Sequence, residues 1–497
     1  MRFLKKEHTH EYYYFSCMLQ QTIFVGMRFT AWICVTSLPL LSIIHTNDVD
    51  VSYSASRPIT PWRSGRGAGS GMSRSINLGA LDFRDIIKPG DGIVTSNGCG
   101  EALSLLEKLL EQRHALGSMR MFLGAGFAPL LKPDHSDAIR FYGIGAMGAR
   151  RALVKAGALE ILPIHLSAIG RLIRSGRIAC DVALIQIPPP NEEGVFSWGL
   201  TSDYTRAAVE TARVVVAEIN EQIPWTHSED PPTDSELDVV VPISRPAVEV
   251  APSPISEVEG QIADRILGYI PDRATLQAGI GAVPESVMSL LVHHRDLGIH
   301  SGMLGDSAAL LMQSGAVTNA HKEVAPGITM TAALIGTKRL YEFARHNSSI
   351  RLCSSDITHG AQTLSKLKRF VSINSAVEVD LTGQVNAEAS ALDYVGGVGG
   401  QVDYMRAASQ SENGCAVIAL PSTSRDGKAS RIVSVLSGPV TTARSDVSLI
   451  VTEFGVADLR GKSLGERREA IILLAAPQFR EELERAAYPA GMSARRS

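Results

Sequence analysis

The stretch Ala274-Thr275-Leu276-Gln277-Ala278-Gly279-Ile280-Gly281-Ala282-Val283-Pro284 decides the fold. A short strand, Ala274 to Gln277, runs into paired glycines, and Pro284 is placed to be the first residue of a helix with Val287, Leu290 and Leu291 facing inward. A second strand, Leu297 to Ser301, is expected to break at Gly302, and Asp306 can cap a further helix that ends at Ser314-Gly315. Upstream, Ser256 and Glu259 form a capping box before a helix whose Val258, Ile262, Ile266 and Ile270 share one face. Two successive strand–loop–helix units put the loops Gly279–Val283 and Gly302–Gly305 at the carboxyl ends of parallel strands. That edge is where open α/β sheets bind ligands.

The first half repeats the pattern. Ile93-Val94-Thr95 ends in Asn97-Gly98-Cys99-Gly100 and leads into a helix carrying Leu103, Leu106, Leu109 and Leu110; further strands are Val182 to Ile187 and Val214 to Ala217. Near-continuous apolar strands separated by helices indicate parallel sheets covered on both faces. The expected fold is α/β, with two domains and mainly parallel sheets. A proline-rich acidic stretch, residues 227–256, marks the boundary between 72–250 and 251–497. Residues 1–71 do not share the pattern: an uncharged apolar run, Phe29 to Ile44, follows Arg28 and precedes a Gly/Ser/Arg-rich linker. Three readings stand for this segment: an over-extended start with the native chain beginning at Met72, an unstructured tail, or a targeting or anchoring segment.

Composition excludes several classes. The chain has 497 residues, 48 Lys plus Arg against 51 Asp plus Glu, and a net charge of −3, so it lacks the basic excess of a nucleic-acid binder. Its six cysteines are scattered with no C-x-x-C pair, which argues against a disulfide framework, structural zinc and thioredoxin-type chemistry. His293-His294 point to different helix faces and make a poor metal pair, so no metal site is expected. Gly143-Ile144-Gly145-Ala146-Met147-Gly148 fits the dinucleotide fingerprint, yet Pro163-Ile164-His165-Leu166-Ser167 downstream holds no carboxylate for a ribose. The remaining glycine loops, with Gly396-Gly397-Val398-Gly399-Gly400 as the third, expose main-chain amides to an anion or oxyanion. Taken singly, each also serves as a tight turn.

Longer stretches carry a resemblance. Asp181 to Gln186, Ala217 to Asn220, Leu276 to Gly281, Asn374-Ser375-Ala376-Val377-Glu378-Val379-Asp380-Leu381-Thr382-Gly383-Gln384-Val385-Asn386, Gly399 to Asp403, Ala419 to Thr423 and Thr452 to Leu459 are similar to the acetyl-CoA hydrolase/transferase family, which includes 4-hydroxybutyrate CoA-transferases. The resemblance spans about Met72 to Ala487. It implies two similar α/β domains with the acyl-CoA groove between them, and short-chain acyl-CoA and small carboxylates as substrates. It implies no cofactor beyond the coenzyme A thioester, no stable membrane association and a homo-oligomer. A cytoplasmic location follows from the CoA substrate and the scattered cysteines, and conflicts with the apolar N-terminal stretch unless that stretch is absent in the cell. The family's CoA-contacting positions fall on Gly279, Ile280, Gly281, Ala282, Val283, Val377 and Gly400. In relatives a glutamate within a His-Thr-Glu-Met-like stretch attacks the thioester. Here that stretch is His300-Ser301-Gly302-Met303, so the nucleophile position is Gly302.

Glu285, in the first turn after the glycine loop, and His300, as a base for water, are the substitutes to weigh, each with a structural role as alternative. Asp306 has the same capping alternative, and Ser411-Glu412-Asn413-Gly414, which spells another transferase motif, reads as a polar turn. Three functions stay open: a CoA-transferase without the usual carboxylate, an acyl-CoA hydrolase in which the space at Gly302 admits water, and a CoA-binding protein without chemistry. If the pocket is otherwise intact, Gly302→Glu is expected to restore transfer.

Overall fold

The computed structural model describes residues 73–279, 281–391 and 393–487; the readings of residues 1–71 lie outside the described residues. Two eight-stranded sheets organise the chain. The first contains β1 (Arg74–Ser75), β2 (Gly92–Thr95), β3 (Met119–Leu123), β4 (Ile139–Gly143), β5 (Leu159–Ile161), β6 (Val182–Ile187), β7 (Val214–Asn220) and β8 (Val239–Ile243). Their order is β1-β8-β7-β6-β2-β3-β4-β5, parallel throughout. The second contains β9 (Thr275–Ala278), β10 (Gly298–Leu304), β11 (Thr329–Leu334), β12 (Ile350–Leu352) and β13 (Phe370–Asn374), followed by Cys415–Ala419, Leu449–Thr452 and Gly455–Asp458. It runs β12-β11-β10-β9-β13 and on through those three strands in turn, with only the last pair antiparallel.

The two sheets share one plan. From β2 the chain steps outward to β5, then returns with β6 beside β2; from β9 it steps outward to β12, then returns with β13 beside β9. Each sheet therefore has a switch point, β2/β6 and β9/β13, where loops diverge and leave a crevice. All six residues of β6 are buried, as a strand between two helical layers requires, and its one polar residue, Gln186, accepts a hydrogen bond from Asn220 Nδ2 at 2.9 Å. One hydrophobic cluster extends from Val94 and Ile185 through Ile262 and Leu276 to Val451, so both sheets rest on a common core. No described helix is long and apolar enough to cross a membrane.

The expected elements form, with local differences. The capping box closes, Ser256 N–H donating to Glu259 Oε2 at 2.7 Å and Glu259 N–H to Ser256 Oγ at 3.4 Å. The next helix starts at Ala282, so Pro284 is its third residue; the first-turn N–H groups have no intrahelical acceptor, and proline costs nothing there. Leu290 turns outward, while Val287 and Leu291 are buried. β10 does not break at Gly302. It continues to Leu304 because Met303 and Leu304 keep their register with Ala333 and Leu334 of β11. Asp306 is buried at the start of helix Asp306–Gln313, but its carboxylate accepts from the N–H of Thr337 at 2.9 Å and the hydroxyl at 2.7 Å, tying that helix to the next loop. Ser411–Gly414 is a turn, with Asn413 at φ +57° and Glu412 paired to Lys368 at the surface.

Candidate active site

The carboxyl edges of the two sheets face one another across a cavity of about 460 Å³. Asn97 and Gly98 after β2, Phe127 after β3 and Met147 after β4 line it from the first sheet; Gly279 after β9, Gly302 within β10 and Asn374 to Val377 after β13 line it from the second. Gly396 to Gly400 close one side. Both switch points thus open into the same space.

Main chain builds the first-sheet wall. Parallel bridges join Gly98 to Gly126 and Gly126 to Gly148, and under them Arg150 pairs with Glu101, both almost wholly buried. A side chain on Gly126 would run into that guanidinium. The dinucleotide-like motif also finds its purpose here. Gly145 holds φ +136° and lies against Gly396 and Gly397, while Ala146 N–H donates to Gly396 O at 2.8 Å and Leu166 N–H to Gly399 O at 2.9 Å. These glycines let two loops from different sheets meet backbone to backbone.

The residues singled out in the sequence divide into two groups. Gly279, Val377 and Gly400 line the cavity, as does Gly302. Ile280 lies outside the described residues. Gly281 precedes helix Ala282–Leu290 at φ +138°, a conformation that needs glycine; Ala282 begins the helix, and Val283 packs into the core rather than the cavity wall. Glu285 is half-buried in that helix's first turn beside Gly305 and does not line the cavity. His300 does not line it either. Because β10 continues past Gly302, His300 sits one pleat deeper, fully buried, with Nε2–H donating to the carbonyl of Thr358 at 3.0 Å.

What stands at Gly302 is an imidazole from elsewhere in the chain. The short helix Ser355–Thr358 follows β12 and delivers His359 against Gly302 and Gly400. A Cβ added at 302 would stand 2.6 Å from His359 Nε2 and 3.2 Å from the Tyr404 hydroxyl; one added at 400 would stand 2.5 Å from the same Nε2. His359 and Tyr404 both line the cavity, their rings 4.6 Å apart. The pocket around position 302 is therefore not otherwise intact: its side-chain space is filled. Sequence reading missed His359 because 57 positions separate it from Gly302 and no motif surrounds it. The available signal was the departure itself, since a large residue replaced by glycine in a packed wall raises the question of what fills the gap.

The imidazole is oriented by its neighbour. The Thr358 hydroxyl donates to Ser354 O at 3.1 Å and meets His359 Nδ1 at 2.9 Å. With its one proton on Ser354, the hydroxyl accepts from Nδ1–H, and this network assigns the bare lone pair to Nε2, on the glycine side. Burial, with His300 nearby, pushes His359 down to about 3, so the ring is neutral at physiological pH.

Asp203 is the one carboxylate among the described lining residues, and no lysine or arginine joins it. Its Oδ2 accepts from Asn97 Nδ2 at 2.7 Å, yet burial outweighs that bond and raises the carboxyl from 3.8 to about 6. A carboxyl raised on folding binds its proton more tightly in the native state. Its contribution to stability is present below its unfolded value and is lost as pH rises through about 6. Asp203→Asn, which suits the residue's φ of +34°, should remove that slope. The melting temperature of the parent, relative to this variant, is expected to fall between about pH 4 and about pH 7. Parallel curves would contradict the assignment.

Comparison with known proteins agrees with this geometry. The Acetyl-CoA hydrolase/transferase N-terminal domain matches residues 69–246 and the corresponding C-terminal domain matches residues 336–487. A 4-hydroxybutyrate coenzyme A transferase of Clostridium kluyveri is 37% identical over 395 residues, covering 79% of this chain and 92% of that protein. Among solved structures, RipA from Yersinia pestis superposes with a TM-score of 0.78 at 29% identity, covering 83% of this chain and 97% of that one. The 4-hydroxybutyrate CoA-transferase of Porphyromonas gingivalis gives 0.70 at 33% identity, covering 83% and 96%. With paired α/β sheets, glycine-walled edges meeting at one cavity and both domain descriptions matched, the chain belongs to the acetyl-CoA hydrolase/transferase family.

Proposed function

We propose that this member of the family hydrolyses acyl-CoA thioesters, passing the acyl group to water rather than through an enzyme-bound glutamyl thioester. One observation carries the reading: the side-chain space at Gly302, the position of the nucleophilic glutamate in relatives, is occupied by His359 and Tyr404. A covalent route needs a carboxylate against the thioester carbon: Glu285 does not line the cavity, and Asp203, which does, is tied by its Oδ2 to Asn97. The lining chemistry supports the same reading. A transferase must admit a free carboxylate as acceptor, and an anion entering this cavity would give up its water beside Asp203 with no cationic side chain among the described lining residues. Phe127, Ile144, Met147 and Leu166 give the cavity an apolar flank suited to a neutral acyl chain.

The test uses the purified full-length chain with acetyl-, butyryl- and succinyl-CoA, with and without added acetate. Thiol release that does not depend on acetate is expected, with succinyl-CoA disfavoured against butyryl-CoA by about 100-fold in kcat/KM, the effect of roughly 3 kcal/mol for an unpaired buried carboxylate. Acyl exchange that requires acetate and releases no thiol would restore the transferase reading. If CoA raises the melting temperature and neither reaction occurs, the cavity binds without chemistry.

A further inference from the structure

Resting on the hydrolase reading, we infer that His359 is the general base that activates water, with Tyr404 donating to the thioester oxygen as charge develops there. Both groups close on Gly302. His359 Nε2 and the Tyr404 hydroxyl lie 2.6 Å and 3.2 Å from the place a Cβ at residue 302 would take, on the wall of the cavity. Nε2 carries the lone pair because Nδ1–H is held by Thr358. Tyr404 lines the cavity, and its hydroxyl, though beside Thr358, makes no well-aligned hydrogen bond, so its proton has no acceptor among the described residues. Burial also pushes that phenol well above its ordinary value, which keeps it protonated at any working pH.

The step balances without any further reactant. Water gives a proton to His359 Nε2 as its oxygen bonds to the thioester carbonyl carbon, and the carbonyl oxygen takes up the electron pair and a hydrogen bond from Tyr404. The pair then returns, the C–S bond breaks, and the sulfur takes the proton from the imidazolium. The products are CoA thiol and a carboxylic acid, which ionises in solvent, and the ring ends neutral as it began.

The glycines are part of this assignment. Gly302 and Gly400 flank Nε2 so closely that a side chain at either position would displace the imidazole. Around the ring, the titratable neighbours are His300 from β10, Tyr404 from helix Gln401–Gln410, and Asp203, whose backbone is bridged to Ser354 at the start of the short helix that delivers His359. His300 has its own Nε2–H on Thr358 O and a bare Nδ1 with no partner among the described residues, so it presents no proton toward His359 that would compete with water.

The experiment measures thiol release from butyryl-CoA by the full-length chain and its His359→Gln, His359→Gly and Tyr404→Phe variants. His359→Gln keeps the volume and removes the base; kcat should fall about 100-fold or more while KM changes little. His359→Gly should lose the same activity and regain part of it with added imidazole, which a purely structural histidine would not show. Tyr404→Phe should lower kcat by about 10-fold or more at unchanged KM. In the Asp203→Asn variant, which removes the cavity carboxyl that titrates at about 6, the profile of kcat/KM should stay flat on the acid side to well below pH 6.5, the ordinary histidine value. Retained kcat in whichever His359 variant stays folded, judged by its melting temperature with CoA, would overturn the assignment and leave the hydrolase reading standing. Absence of thiol release from the parent would overturn the hydrolase reading itself.

Discussion

Gly302→Glu alone is expected to yield a protein without CoA exchange that is less stable than the parent by about 1–3 kcal/mol, whereas Gly302→Glu combined with His359→Ala should acquire exchange. The contrast follows from one distance. A Cβ at 302 stands 2.6 Å from His359 Nε2, and the imidazole has little freedom to withdraw, since Thr358 holds its other nitrogen and the residue is buried. The single variant therefore overpacks the wall. Removing the imidazole in the second substitution vacates the space into which the carboxylate must reach. Acyl-CoA exchange with added acetate and butyrate, with mass spectrometric detection of CoA bound to residue 302, reads the outcome. Equal exchange in the single and double variants would show that His359 does not exclude the carboxylate.

Arg150→Met carries the largest expected effect on stability, a loss of about 3–5 kcal/mol, because it leaves Glu101 as a buried charge without its partner. Arg150 and Glu101 are 2% and 1% exposed, so water cannot take over the lost contact. The pair is not a tight reciprocal fork: Glu101 Oε2 and Arg150 Nε have no hydrogen-bond partner. Burial lowers the guanidinium to about 10, which still leaves it charged at neutral pH. Such a pair is costly to desolvate and destructive to break, so Arg150→Met with Glu101→Gln should recover most of the stability lost by the single change. Urea unfolding of the parent, single and double variants measures this. A single variant as stable as the parent would mean that the pair contributes nothing. Because the pair lies under the bridges joining Gly98, Gly126 and Gly148, weaker CoA binding should accompany the loss.

How much could be read from the sequence depended on whether a feature was local. The strand at Val182 to Ile187 was legible because a strand buried on both faces is a near-continuous apolar run, that at Thr275 to Ala278 because it runs straight into paired glycines and a helix, and the capping box at Ser256 because its partners are three residues apart. The convergence of Gly279, Gly302, Val377 and Gly400 was legible through the glycine loops and the resemblance together. The strand end at Gly302 was misplaced because glycine is a weak breaker when the neighbouring strand supplies the ladder, as β11 does for Met303 and Leu304. That error brought His300 too near the surface of the site. His359 and Tyr404 were not legible, since both reach Gly302 through tertiary packing of segments that carry no pattern of their own.

The contact between the Gly145 loop and the Gly396–Gly399 loop acts as a fixed gauge. The 2.8 Å hydrogen bond from Ala146 to Gly396, backed by one of 2.9 Å from Leu166 after β5 to Gly399, sets the spacing there. A side chain can swing between rotamers in nanoseconds, but a peptide plane held from both sides has no such alternative. The calibre of the cavity at this seam is therefore a property of the backbone, the same for every acyl group that enters. Discrimination between ligands falls to the side chains farther along the wall, and a single methyl at Gly145 or Gly397, which would press into the opposing main chain, would alter the calibre for all of them at once.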